Sequence, residues 1–181
     1  LTMALGAGSV TPIQMATGYA VFANGGYRIS PTLILRVSDH KGKLLYEAPE
    51  VSPTEEQRAI EPRNAFIMNS LLQEITRSGT AARAQSTLKR TDLYGKTGTT
   101  NDSVDAWFVG YQPTLVAAAW VGYDSPRNLG SRETGGGLSL PIWISFMSEA
   151  LKGVPVASYT PPSGVINVGG EWYYEEFGPG R

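Results

Sequence analysis

The chain contains no cysteine, and that absence removes disulfide bridges, a thiolate nucleophile and thiolate metal sites together. It contains one histidine, His40, which cannot assemble a metal centre by itself. Apolar residues nowhere run for the roughly 18–20 positions that a membrane-spanning helix needs, and no basic-then-apolar leader opens the sequence. Charge of neither sign prevails: 15 Lys and Arg stand against 16 Asp and Glu, a formal net charge of −1 over 181 residues. Such a balance gives no general attraction for nucleic acid or an acidic membrane surface. With 41% hydrophobic residues there is still material for a core, enough for one globular domain or most of one. Glycine (21) and proline (12) are plentiful but fall short of the roughly 25–30% combined share that marks disorder, so a loop-rich fold is expected.

What is present reads as helices alternating with short strands. Thr11-Pro12-Ile13-Gln14 carries a hydroxyl N-cap, a proline at the first helical position and a glutamine that completes a capping box. It predicts a helix over 12–24 with a broad apolar stripe through positions 13, 16, 20 and 23, stopped by Asn24-Gly25-Gly26. Residues 33–37 and 43–47 read as a β-hairpin whose turn, Asp39 to Gly42, leaves His40 in solvent. Glu61-Pro62 opens a second helix to about Thr76, with Ala65, Phe66, Met68, Leu71, Leu72 and Ile75 as its buried side and Ser78-Gly79 as its end. Three strands follow, near 93–99, 105–111 and 115–123, joined by turns short enough to make them antiparallel neighbours. The run 132–137 reads as a flexible loop, and Pro141 as the start of a helix burying Ile142, Trp143, Phe146, Met147, Ala150 and Leu151. Trp107, Trp120 and Trp143 are read as core residues, and Asp102, Asp105 and Glu133 as turn or surface carboxylates. Beyond Pro155 proline and glycine dominate, and Glu171-Trp172-Tyr173-Tyr174 is a strand or an aromatic tail that docks. The fold class expected is α+β, an antiparallel sheet with packed helices.

Chemistry concentrates in Gly95-Lys96-Thr97-Gly98-Thr99-Thr100. In an extended backbone Thr97 and Thr99 share one face, Lys96 and Gly98 the other. Gly98 inside a strand implies a bulge or a close approach of another group to the backbone. A Gly-Lys-Thr triplet also occurs in phosphate-binding loops, but these need a glycine five positions earlier and a helix afterwards. Arg90 occupies the earlier position here, and Gly-Thr-Thr-Asn-Asp opens a helix poorly. Hydroxyls, an ammonium and free backbone N–H groups on a strand edge suit a carboxylate and a polarised carbonyl instead.

Lys96-Thr97-Gly98-Thr99-Thr100-Asn101-Asp102, then Asp105-Ala106-Trp107-Phe108-Val109-Gly110-Tyr111, then Ala119-Trp120-Val121-Gly122-Tyr123-Asp124, resemble the transpeptidase domain of class A, bifunctional penicillin-binding proteins, and among them the 1A members. The resemblance runs from Leu5 to Trp143 and thins after about Gly153, dividing the chain into 1–153, the C-terminal half of a transpeptidase domain, and 154–181, a Pro/Gly-rich extension. It implies a penicillin-binding-protein/β-lactamase-like fold and a serine acyl-enzyme mechanism on peptidoglycan stem peptides, inhibited by β-lactams and requiring no cofactor. It assigns Lys96 to charge stabilisation, Thr97 and Thr99 to the substrate carboxylate, the Thr99 N–H to half of the oxyanion hole, and Gly98 to close approach of substrate. It also implies a place on the outer face of the bacterial cytoplasmic membrane, anchored by a segment absent from this chain.

The family's Ser-x-x-Lys nucleophile motif occurs at Ser38-Asp39-His40-Lys41, in the hairpin turn, and at Ser86-Thr87-Leu88-Lys89, too near Lys96 to form a separate helix beneath the strand. Ser-x-Asn, the family's third motif, is absent. The chain also opens in what reads as mid-domain sequence. The serine, its lysine and Ser-x-Asn are therefore expected upstream of Leu1 in a longer polypeptide, which would carry the glycosyltransferase domain and anchor of class A members and bind this chain. Rival readings are a fragment of a serine β-lactamase or DD-carboxypeptidase, and a non-catalytic module that binds peptidoglycan or a partner.

Overall fold

The computed structural model describes residue 6 and residues 8–50 and 52–180; Leu5 and Ala7, at the start of the resemblance, lie outside them. Helix α1 spans Pro12–Ala23, and its capping box forms as the sequence predicts: Thr11 Oγ1 accepts from the Gln14 N–H at 3.3 Å, and Gln14 Oε1 from the Thr11 N–H at 2.9 Å. The chain leaves α1 through Gly25 and Gly26, both at positive φ, and a side chain on Gly26 would strike the Ile60 carbonyl oxygen at 2.3 Å. Strands β1 (Arg36–Ser38) and β2 (Leu44–Glu47) form an antiparallel hairpin, with Asp39 Oδ1 accepting from the N–H groups of Lys41 and Lys43 in the turn. His40 is exposed there.

Helix α2 spans Pro62–Arg77 and buries Ala65, Asn69, Leu72 and Thr76. Leu71, assigned to its buried side from sequence, is 53% exposed. Two of the four buried positions are polar because each has a hydrogen-bond partner on or beside the sheet: Thr76 Oγ1 donates to the Leu93 carbonyl at 2.5 Å, and Asn69 Oδ1 accepts from the Tyr111 hydroxyl at 2.5 Å. A periodicity count of apolar residues misses such positions. Short helix α3 (Arg83–Leu88) follows; the sequence predicts no separate helix here beneath the Lys96 strand.

The central sheet has strands β3 (Tyr94–Thr99), β4 (Ala106–Gln112) and β5 (Leu115–Val121) in the order β3-β4-β5, all antiparallel. Tyr94 stacks on its cross-strand partner Tyr111 at 5.1 Å and 13°, with Tyr19 of α1 at that ring's edge, so α1 covers this face. On the opposite face Phe108 meets Trp143 edge to face at 4.9 Å. That tryptophan belongs to α4 (Leu140–Ala150), whose Leu140, Trp143, Ile144 and Met147 are buried. Ile142 and Phe146, expected inside, are 53% and 52% exposed on its outer side. The sheet thus lies between helices, a mixed α+β architecture with an apolar cluster on each face.

Residues 132–137 are not a flexible loop. Thr134 Oγ1 accepts from the Gly137 N–H at 3.1 Å, and Gly135–Ser139 form a π-helical turn that runs directly into α4. Strands β6 (Val165–Val168) and β7 (Glu171–Tyr174) make a final hairpin. It docks on α2 through Phe66 against Trp172 at 4.9 Å and an ion pair of Arg63 with Glu176 at 2.9 Å, so the strand and the docking tail are the same segment. Among the described residues no helix is long and apolar enough to cross a membrane.

Candidate active site

Strand β3 occupies one edge of the central sheet, so Lys96, Thr97, Gly98 and Thr99 pair with β4 on one side alone. The register is regular: Lys96 faces Val109, Thr97 faces Phe108, Gly98 faces Trp107 and Thr99 faces Ala106. Directly opposed residues share a face, so Thr97 lies on the side of Phe108 and α4, while Lys96 lies on the side of Tyr94 and α1. The absence of any register slip excludes a bulge as the reason for Gly98. The group packed over the backbone here is Gly135, on the Thr99 side of the strand and opposite the face that a Gly98 side chain would take. A Cβ on Gly135 would lie 2.2 Å from the Trp107 carbonyl oxygen and 2.5 Å from that of Gly98. On the other face a Cβ on Gly98 would meet Trp107 Cβ at 3.3 Å.

The two threonine hydroxyls each meet a group from outside the strand. Thr99 Oγ1 accepts from the Gly135 N–H at 3.1 Å, and Thr97 Oγ1 lies 2.9 Å from Thr80 Oγ1. Thr80 sits in the turn between α2 and α3, anchored by the fully buried Ala81, whose N–H donates to the Ile75 carbonyl at 3.1 Å. Neither Thr80 nor the glycine run is assigned to the site from sequence; a hydroxyl straight after a helix-ending glycine, and a triplet of glycines at a helix start, were the available signals. Lys96 is exposed, and its Nζ donates to the Thr97 carbonyl at 3.0 Å.

Beyond β3, the turn to β4 closes with the Asp105 N–H donating to Thr100 Oγ1 at 2.7 Å, and it passes through Asp102 and Ser103, both at positive φ. Asp105 also accepts from the Trp120 indole N–H at 2.7 Å. Trp120 is 38% exposed and Trp107 half-buried, 6.1 Å apart, so of the three tryptophans read as core only Trp143 is fully buried.

Neither Ser-x-x-Lys copy joins this site. Ser38 lies in the exposed β1–β2 hairpin. Ser86 is on α3 with its hydroxyl donating to the Arg83 carbonyl at 3.2 Å, and Lys89 follows the helix at φ 55°, outside its helical turns. Among the described residues, no three acidic or histidine side chains gather as a metal site requires.

The strand's entry is held by a buried ion pair. Asp92, 1% exposed, receives Arg90 Nε at 2.9 Å and Nη2 at 2.8 Å, Gln112 Nε2 at 3.2 Å and the Ala157 N–H at 3.0 Å. Burial alone would raise its pKa; the hydrogen bonds from Arg90, Ala157 and Gln112, with the guanidinium charge, outweigh it and hold the carboxyl below its ordinary range. Arg90 also donates to the carbonyls of Val154 and Pro155, at 2.7 and 3.0 Å.

Residues 1–143 match the family model described as the penicillin binding protein transpeptidase domain. Penicillin-binding protein 1A of Neisseria flavescens is 47% identical over 177 residues, which cover 97% of this chain and 22% of that protein. The Pseudomonas aeruginosa protein of the same name is 39% identical, with 92% of this chain and 26% of that protein covered. The crystal structure of penicillin-binding protein 1A from Haemophilus influenzae overlays with a TM-score of 0.87 at 31% identity, covering 97% of this chain and 33% of that one. The penicillin-binding protein PonA1 from Mycobacterium tuberculosis gives 0.71 at 29% identity, over 87% of this chain and 45% of that one. This chain therefore spans about a quarter or less of the curated relatives it matches. By the extent of the family match and the agreement of the fold, the chain belongs to the penicillin-binding protein transpeptidase domain family.

Proposed function

We propose that this chain supplies the carboxylate- and oxyanion-binding wall of a peptidoglycan DD-transpeptidase, and that the nucleophilic serine comes from a part of the parent polypeptide outside it. The observation that carries the reading is the edge strand Lys96-Thr97-Gly98-Thr99, with both threonine hydroxyls on one face, in a chain of this family. The serine attacks the carbonyl of the penultimate D-alanine of a stem peptide. The peptide bond to the terminal D-alanine breaks, and that residue leaves as the free amine with a proton. An amine of a second stem then attacks the acyl-serine ester, forming the cross-link and restoring the hydroxyl.

In this scheme Thr97 and Thr99 hold the terminal carboxylate, each charge-assisted bond contributing about 1.5–3 kcal/mol. The Thr99 N–H faces the carbonyl oxygen as charge grows on it, a role in which one donor is typically worth about 10²–10³ in rate. Lys96 supplies the positive charge on the α1 side of the strand. Gly98 keeps the strand flat enough for substrate to lie along it. No cofactor or metal enters these steps. A β-lactam presents a carboxylate and an acyl group to the same wall, and the resulting ester is stable. The substrate places the reaction in the bacterial envelope, on the outer face of the cytoplasmic membrane, with anchorage supplied from outside this chain. We place the end of the transpeptidase half near Gly153 and read residues 154–181 as an extension strapped back onto it.

Fluorescent penicillin labelling of the full-length protein tests the reading. The wild type is expected to form a stable adduct, and Lys96→Ala to slow acylation by about two orders of magnitude or more without lowering Tm. Near-normal acylation of Lys96→Ala would reduce the lysine to a structural residue; rapid turnover of the adduct by the wild type would favour a β-lactamase.

A further inference from the structure

The hydroxyls of Thr97 and Thr99 are not free rotors, and what holds them decides which way their protons point. A hydroxyl has one proton to give and an oxygen that accepts. Thr99 Oγ1 already accepts from the Gly135 N–H at 3.1 Å, which leaves its own proton for another acceptor. For Thr97 the corresponding neighbour is Thr80 Oγ1 at 2.9 Å, where one hydroxyl donates to the other. When an anion accepts from Thr97, the pair polarises so that Thr80 donates to Thr97, each bond strengthening the next.

Thr80 is built into this position. Gly79 precedes it, where a Cβ would lie 2.9 Å from Ile75 Cα, so the chain turns tightly against the end of α2. Ala81 follows, fully buried in the cluster beneath the sheet. The Thr80 carbonyl is itself approached by the glycine run: a Cβ on Gly136 would lie 3.4 Å from it. The turn after α2, the edge strand and the start of α4 thus converge on one hydroxyl pair.

We propose that Thr80 is a positioning residue of the carboxylate site, a third hydroxyl that donates to Thr97 Oγ1 and so commits the Thr97 proton to the bound carboxylate. The proposal rests on the reading of β3 as the carboxylate-binding strand. Thr80→Val removes the hydroxyl with little change of shape, Thr80→Ser keeps it, and Thr80→Ala serves as a second deletion should the valine disturb the turn. In the full-length protein, stopped-flow acylation by benzylpenicillin separates the binding constant from the acylation step, and benzylpenicillin methyl ester reports on the same pocket without the charge. Thr80→Val and Thr80→Ala should raise Kd for benzylpenicillin about three- to tenfold, the worth of one neutral hydrogen bond. The limiting acylation rate should stay within about twofold, the ester should be unaffected, and Thr80→Ser should behave as wild type. An unchanged Kd in both deletions, an equal loss on acid and ester, or a failure of serine to restore binding would overturn the role of Thr80. A wild-type protein that takes no penicillin would overturn this inference together with the transpeptidase reading; a labelled wild type with an unaffected Thr80→Val overturns this inference alone.

Discussion

Gly135 shows how one absent side chain holds the site together. Its backbone lies against the β3–β4 ladder so closely that a Cβ would sit 2.2 Å from the Trp107 carbonyl oxygen and 3.1 Å from the Gly98 nitrogen. Those are backbone atoms of a paired ladder and have nowhere to move. Gly135→Ala should therefore push the π-helical turn off the strand, costing about 1–3 kcal/mol as overpacking does, and release the Thr99 hydroxyl. Gly137→Ala is the matched control, since a Cβ there would meet Thr134 Oγ1 at an ordinary 3.5 Å. Thermal melts and penicillin acylation of both variants are expected to separate them, with losses confined to position 135. Equal behaviour of the two would mean that the turn tolerates displacement. At this scale the motif residues Lys96, Thr97, Gly98 and Thr99 were legible because strand alternation assigns their faces from sequence alone. Thr80 and Gly135 were not, because they reach the strand from segments 17 and 36 residues away.

Among the elements, the helices with capping chemistry were the most legible. Thr11, Pro12 and Gln14 fix the start of α1, and Pro62 and Ser78 bracket α2, because these signals are local. Buried faces were less so: Asn69 and Thr76 are inside through tertiary hydrogen bonds, while Ile142 and Phe146, read as part of the apolar face of α4, lie outside. The start of the segment after Gly153 is marked in sequence only by proline and glycine, yet Val154, Pro155 and Ala157 are tied to the Arg90–Asp92 pair just before β3. Tyr159 adds a hydroxyl bond to the Ala23 carbonyl at 2.8 Å. The Asp92 carboxyl is held below its unfolded pKa, ordinarily about 3.9, so its contribution to stability is present above that value and lost as pH falls through the folded pKa. Urea unfolding of the wild type should weaken below about pH 4 in part through this group. Asp92→Asn should cost about 1–3 kcal/mol at pH 7, because it takes the carboxylate from the part-buried Arg90, and should lose that share of the acid dependence. A variant with an unaltered pH profile would remove Asp92 from the account.

At the scale of the whole molecule, apolar surface left uncovered is concentrated in the β1–β2 hairpin. All seven residues of its strands are exposed, and Leu33, Leu35 and Leu45 beside or within them are 96%, 68% and 61% exposed. Trp120 adds an exposed ring on the Lys96 side of the sheet. The chain covers 22% of the length of a curated relative. In the proposed function Lys96, Thr97 and Thr99 form a wall for carboxylate and oxyanion, and such a wall needs a nucleophile opposite it. The most direct measurement is mass spectrometry of the full-length protein after exposure to benzylpenicillin, followed by peptide mapping of the adduct. The account predicts one penicilloyl group per molecule, on a serine outside the 181 residues of this chain. A stoichiometric adduct on Ser38 or Ser86, or no adduct on any serine, would contradict it.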